Sequence, residues 1–262
     1  GQWANKAYKE AVRYGAAREV ASSKDKTFSY IPKTTAADFD KEADYVHICV
    51  NNTIYGTKYH TLPDTGNVTL VGDISSCIVS EPIDVSRFGL LYAGAQKNLA
   101  PAGLTVVIIR EDLIGHAQEM TPTMFNYKTH ADAGSMFNTP PCWCIYICKL
   151  VLEWLRDEIG GLENMKKINE NKAAMIYDFL DSSKLFKGTV VKEDRSLMNI
   201  PFITGNEELD AEFVSEAAAA GFVNLKGHRS VGGMRASVYN AMPTVGVEKL
   251  VDFMKAFEKA NG

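Results

Sequence analysis

Between residues 45 and 110 four short, continuous apolar runs follow one another, and this succession constrains the fold more than any other feature of the chain. Tyr45–Val50 ends in Asn51, Asn52 and Thr53, and Val68–Gly72 ends in Asp73, Ile74, Ser75 and Ser76. Gly89–Ala93 leads into Gly94, Ala95, Gln96 and Lys97, and Leu104–Arg110 comes next. Unbroken runs of roughly four to eight residues, rich in Val and Ile, are the signature of strands buried on both faces of a largely parallel sheet. Such sheets take their ligands in the crevice beyond the carboxyl ends of the strands. The polar residues just after each run, Thr53 and Asp73 foremost, therefore stand where chemistry is expected.

The flanking segments read differently. Residues 3–14 pattern as a helix. After Pro140 and Pro141 a strongly apolar helix runs to about Asp157 and is closed by Gly160 and Gly161, a plausible C-cap. A second, amphipathic helix from Leu162 to about Leu180 carries Met165, Ile168, Met175, Ile176 and Phe179 between charged residues. Beyond it come a strand at Leu197–Thr204, a helix at Glu208–Ala220, strands at Phe222–Leu225 and Gly233–Tyr239, and a closing helix at Val245–Ala260. The expected division is an α/β domain over 1–162 and a compact α+β domain over 163–262.

Composition removes several function classes. The 28 Lys and Arg against 32 Asp and Glu give a net charge of −4, so a general basic surface for nucleic acid is not expected. No apolar run approaches the roughly 20 residues of a membrane span; the longest candidate, Trp143 to Trp154, is interrupted by Lys149. A soluble, cytoplasmic protein is expected. The five cysteines are an odd number, and Cys142, Cys144 and Cys148 match no common zinc spacing. They are read as three core thiols, and no metal is expected. His47, His60, His116 and His130 are read as surface or core residues, and Ser75 and Ser76 as shaping the turn after Asp73.

The chemistry-bearing pair is Asp73 and Lys97, each just past an apolar run. Lys97 sits among small residues that let a flat ligand approach the backbone, and partial burial lowers a lysine's pKa and makes its amine nucleophilic. A carboxylate facing a lysine across one crevice is what pyridoxal phosphate requires: the amine forms the Schiff base and the carboxylate keeps the pyridine nitrogen protonated. An ordinary surface salt bridge explains the same two residues, and their spacing alone does not choose between the two.

Four longer blocks do choose. YAGAQKNLAPAGLT (92–105), PIDVSR (82–87), SMFNTPP (135–141) and KGHRSVGGMRASVYNA (226–241) resemble the phosphoserine aminotransferases, a branch of the fold type I pyridoxal-phosphate enzymes, and the resemblance runs from Trp3 to the C-terminus. It implies the remnant of a fold type I large domain, a mostly parallel sheet with helices on both faces, followed by the small C-terminal domain. It implies pyridoxal 5'-phosphate as cofactor, and amino-group exchange between phosphoserine and 2-oxoglutarate to give 3-phosphohydroxypyruvate and glutamate.

By the same resemblance, Lys97 carries the Schiff base and shuttles the proton, Asp73 pairs with the pyridinium, Trp3 stacks on the ring, Thr53 bonds the phenolic oxygen and Gln96 reaches the phosphate. Asn138 and Thr139 serve the cofactor phosphate of a second subunit, which implies a homodimer with active sites at the interface. His228 and Arg229 take the substrate phosphate, and Arg235 the α-carboxylate; the planar fork of Arg suits both anions. Without the resemblance, Trp3 reads as a core residue, Thr53 as a satisfied strand end, Asn138 and Thr139 as a turn before two prolines, His228 as structural, and the two arginines as solvated strand-edge charges.

Members of that family carry about a hundred further residues before the position of Trp3, among them a Gly-rich turn whose amides bind the cofactor phosphate. The sequence is therefore expected to be a fragment, and this span alone to be catalytically incompetent. The alternatives are a chain that keeps only fold and dimer surface, and a related pyridoxal-phosphate aminotransferase or lyase with another substrate.

Overall fold

A computed structural model describes all 262 residues. The apolar runs form a four-stranded sheet, β1 (Val46–Cys49), β2 (Leu70–Asp73), β3 (Leu90–Gly94) and β4 (Thr105–Ile109), in the order β1-β2-β3-β4. β1, β2 and β3 are mutually parallel and β4 is antiparallel to β3. β1 and β4 lie within the predicted runs, and β2 and β3 each extend one residue past theirs, to Asp73 and Gly94. Ile48, Leu70, Leu91 and Ala93 turn one face of the sheet into a buried cluster that also takes in Ile74, Phe88, Leu99 and, from α3 (Cys142–Asp157), Cys148. The opposite face presents His47 and Cys49 from β1, Asp73 from β2 and Tyr92 from β3. Alternation along each strand dictates this, and the register sets Cys49 beside Asp73 and Asp73 beside Tyr92.

Helix α1 (Gln2–Ala11) precedes the sheet and packs against β1, and a short α2 (Tyr127–Asp132) follows it. α4 (Leu162–Ser182) leads to the second unit: β5 (Lys187–Gly188), β6 (Asn199–Ile203), α5 (Glu207–Ala219), β7 (Met234–Ser237) and α6 (Thr244–Asn261). β5, β6 and β7 form an antiparallel sheet. Its core of 19 buried residues is separate from the first and centres on Phe186, Phe202, Phe213 and Phe257, whose rings meet largely edge to face. No helix is long and apolar enough to cross a membrane.

Two expectations need correction. Phe222–Leu225 is not a strand: Asn224 adopts φ 62° and Val223 is exposed, so the extended geometry is broken before Lys226 makes a single bridge to Met234. The three clustered cysteines are not all core thiols either. Cys144 and Cys148 are buried, but Cys142, at the first position of α3, is exposed.

The turn after β1 depends on one glycine. Gly56 has φ +75°, and a Cβ there would lie 2.3 Å from the Pro201 ring and 2.7 Å from the Asn199 carbonyl. Its absence lets the segment carrying Thr53 lie directly on β6.

Candidate active site

Thr53, Asp73 and Lys97 come from three successive strand ends, and the parallel arrangement of β1, β2 and β3 brings those ends to one edge of the sheet. The Lys97 amine donates to Thr53 Oγ1 at 2.9 Å and lies 6.0 Å from the centre of the Trp3 ring. Burial lowers the affinity of that amine for its proton, and the nearby Asp73 charge opposes the effect only in part. Asp73 Oδ1 accepts from the Ser75 backbone N–H at 2.9 Å, which fixes the carboxylate at the strand end. Ser75 Oγ accepts from the Gly94 N–H at 3.1 Å and so ties the turn after β2 to the end of β3.

Arg235, on β7, reaches across from the second sheet. Its Nη1 donates to the Thr53 carbonyl at 3.2 Å, while its Nε is buried without a hydrogen-bond partner. A half-buried guanidinium with a free donor is costly unless an anion completes it. One residue, Thr53, thus contacts Lys97 through its side chain and Arg235 through its backbone.

His228 Nδ1 lies 2.7 Å from Ser230 Oγ, and Ser230 Oγ in turn bonds Gln2 Oε1 at 3.3 Å. The 228–230 loop is thereby drawn onto α1, the helix that carries Trp3. Arg229 is exposed in that loop, and Gln96 is exposed beside Lys97. Asn138 and Thr139 are exposed and make no hydrogen bond within the Lys97 group; Asn138 Nδ2 contacts only the Met124 sulfur, at 3.2 Å.

Three neighbours escaped the sequence reading. Cys49 Sγ lies 4.0 Å from Asp73 Oδ2, and burial, with that carboxylate, pushes its thiol up to about 12. Cys49 therefore stays neutral and does not compete with Lys97 as a nucleophile. His47 Nε2 lies 2.9 Å from the Tyr92 hydroxyl, and burial lowers the pKa of the imidazole. Strand alternation joined to register is the signal that would have found Cys49 and Tyr92, since both flank Asp73 in the sheet.

These residues fit pyridoxal phosphate on the chemistry of their donors. An immobilised carboxylate and an amine whose pKa burial lowers share one sheet edge, an indole ring stands over the amine, and a guanidinium keeps a donor free. A largely parallel sheet presenting this set points to a pyridoxal-phosphate-dependent enzyme. The sequence profile of the class-V aminotransferases matches residues 1–250, and the chain belongs to that family, in its phosphoserine aminotransferase branch. The phosphoserine aminotransferase of Bacillus cereus is 54% identical over 261 residues, spanning 100% of this chain and 72% of the relative. That of Lysinibacillus sphaericus is 53% identical over 260 residues, again with 72% of the relative covered.

Solved structures agree. The phosphoserine aminotransferase from Bacillus circulans subsp. alkalophilus superposes with a TM-score of 0.96 at 47% identity, over 100% of this chain and 73% of that one. The pyridoxal-phosphate-bound enzyme of Trichomonas vaginalis superposes at 0.90 with 34% identity, over 97% of this chain and 73% of that one. The resemblance seen in the four sequence blocks is thus a family relationship.

Proposed function

We propose that the chain carries the amino-group chemistry of its family between phosphoserine and 2-oxoglutarate, yielding 3-phosphohydroxypyruvate and glutamate, as a step of serine biosynthesis in the cytoplasm. The observation that carries this reading is the Lys97 amine, desolvated and held on Thr53 beside a carboxylate fixed by its own turn. Bound at this edge, pyridoxal phosphate supplies the electron sink for the substrate's α-carbon.

The chain's own residues do the rest. Lys97 loses its proton more readily than an exposed lysine, so it is available as nucleophile and then as the base that moves the α-proton. Thr53 Oγ1 accepts from the amine and limits where it can point. Asp73 faces the crevice to hold a pyridinium nitrogen, the Trp3 ring offers a stacking surface, and Gln96 can turn to the cofactor phosphate. Arg235, through the donor it keeps free, binds the α-carboxylate. His228 and Arg229 bind the substrate phosphate, which favours a phosphorylated amino acid over other substrates of class-V enzymes.

Two further parts of the proposal concern organisation. The division at residue 162 is supported by two separate hydrophobic cores, one built wholly from residues after 162 and the other from residues before it except for Met198. A homodimer is supported by the outward apolar face of α3 and by Asn138 and Thr139, which have no use in their own chain's Lys97 group and stand free for a second copy's cofactor.

The test is chemical. Purified protein loaded with pyridoxal phosphate is reduced with borohydride and digested. The expected outcome is loss of the yellow colour with the label on the peptide containing Lys97, and in the protein that also carries the family's preceding residues Lys97→Ala is expected to abolish transamination. Label on another lysine, or turnover by Lys97→Ala without added amines, would overturn the assignment.

A further inference from the structure

Behind the Lys97 group lies a chain of buried polar side chains that the proposed chemistry does not use. Asn98, next to Lys97, accepts at Oδ1 from the Asn240 backbone N–H at 2.9 Å and donates from Nδ2 to the Ile78 carbonyl at 2.7 Å. Asn240 donates from Nδ2 to the Val79 carbonyl at 2.9 Å and accepts at Oδ1 from Asn169 Nδ2, also at 2.9 Å. Asn169 Nδ2 reaches the Ser80 carbonyl at 2.9 Å as well. One turn along α4, the Lys172 amine donates to the carbonyls of Val238, Tyr239 and Met242 at 3.2, 2.8 and 3.1 Å. All four side chains are buried, Asn169 and Lys172 completely.

Apolar residues would hold two packed units together without the desolvation that amides and an ammonium incur. What directional hydrogen bonds add is a fixed relative geometry. The segments they join are the turn after β2, which follows Asp73; the segment after β3, which carries Lys97; and the end of β7, which carries Arg235. In front, Lys97 and Arg235 meet on Thr53. At the back, the Asn98–Asn240 bond joins the same two segments.

We propose that Asn98 and Asn240 are positioning residues: their mutual hydrogen bond makes the strand that carries Arg235 set the place of the Lys97 amine, so that amine and carboxylate clamp keep one spacing. The inference rests on the roles given to Lys97 and Arg235 above.

The discriminating measurement is the apparent pKa of the Lys97 amine in the cofactor-free chain, from the pH dependence of its acylation, read by mass spectrometry. Burial, the main influence, holds this pKa down, Arg235 acts in the same direction, and Asp73, Cys49 and Cys77 act against it. Asn98→Ala releases the lysine toward water, and its pKa is expected to rise by about one pH unit. In the loaded enzyme with the family's preceding residues present, kcat is expected to fall by about tenfold or more with KM changed far less, since misplacing a reacting atom costs rate more than binding. Asn240→Ala leaves its own backbone N–H in place and is expected to move both readouts the same way but less. It decides the matter if Asn98→Ala does not fold.

If both variants only melt at lower temperature and keep the Lys97 pKa and kcat of the parent, the residues are structural and the proposal is wrong. If the parent with the family's preceding residues present shows no transamination while Asn98→Ala still shifts the amine, the positioning stands and the functional reading falls.

Discussion

Arg235 and Arg229 carry the same group in opposite surroundings, and this difference separates their roles. Arg235 is half-buried, anchored on the Thr53 backbone and left with an unpartnered Nε, whereas Arg229 is exposed on a loop. Every amino-acid substrate brings an α-carboxylate, but only phosphoserine brings a phosphate. Arg235→Ala is therefore expected to weaken phosphoserine and glutamate alike, by about 2 kcal/mol or more, some 30-fold. Arg229→Ala is expected to weaken phosphoserine far more than glutamate. Half-reaction titrations with each amino acid check both, and equal losses for Arg229→Ala would remove it from the phosphate site. The common place of Lys97, Asp73 and Thr53 was legible in the sequence because each closely follows an apolar run, where a parallel sheet exposes its strand ends, while the roles proposed for them came from the family resemblance. Tyr92 was not, because its place beside Asp73 depends on register, and Asn98 was not, because its partner arrives only when the chain folds back from residue 240.

Among the elements, α4 bears the most unusual load. Its Lys172 is completely buried, has only carbonyls as partners, and burial pushes its ammonium down to about 8 from an ordinary lysine value near 10.5. Between those two values the unfolded chain binds a proton that the folded chain does not, so this group makes folding more favourable as pH rises through that window. Below about pH 8 both states carry the proton and the group adds no pH dependence. The stability of the parent relative to Lys172→Met is thus expected to rise from pH 8 to pH 10, as read from urea midpoints at each pH. Parallel pH profiles would show that Lys172 does not titrate in that range. The sequence pattern placed α4 to within a few residues because apolar and charged positions alternate with helical period. It could not mark Lys172, which falls on the inward face of an otherwise ordinary amphipathic helix. Short α2 escaped for a related reason: it buries no residue, so it leaves no apolar period to read.

Across the whole molecule, exposed apolar side chains gather on α3, where Trp143 is 67% exposed and Ile145, Tyr146, Leu150 and Leu152 are exposed with it. Clusters of this kind mark interfaces. Sedimentation of the loaded protein is expected to give twice the chain mass, and the double substitution Trp143→Asp with Ile145→Asp is expected to shift it toward monomer; a monomeric parent would remove the second copy from the proposal. The two ends of the Thr53 contact also differ in how far they reach along the chain: 44 residues to Lys97 and 182 to Arg235. Closing the longer loop costs only about 1.3 kcal/mol more in chain entropy, so at equilibrium the difference is minor. During synthesis it is large. At roughly 5–20 residues per second, the strand bearing Arg235 leaves the ribosome on the order of ten seconds after the lysine. A nascent chain therefore holds Lys97 and Thr53 before it holds the arginine that completes the contact, and the full lowering of the amine's pKa, to which Arg235 contributes, arrives only with β7.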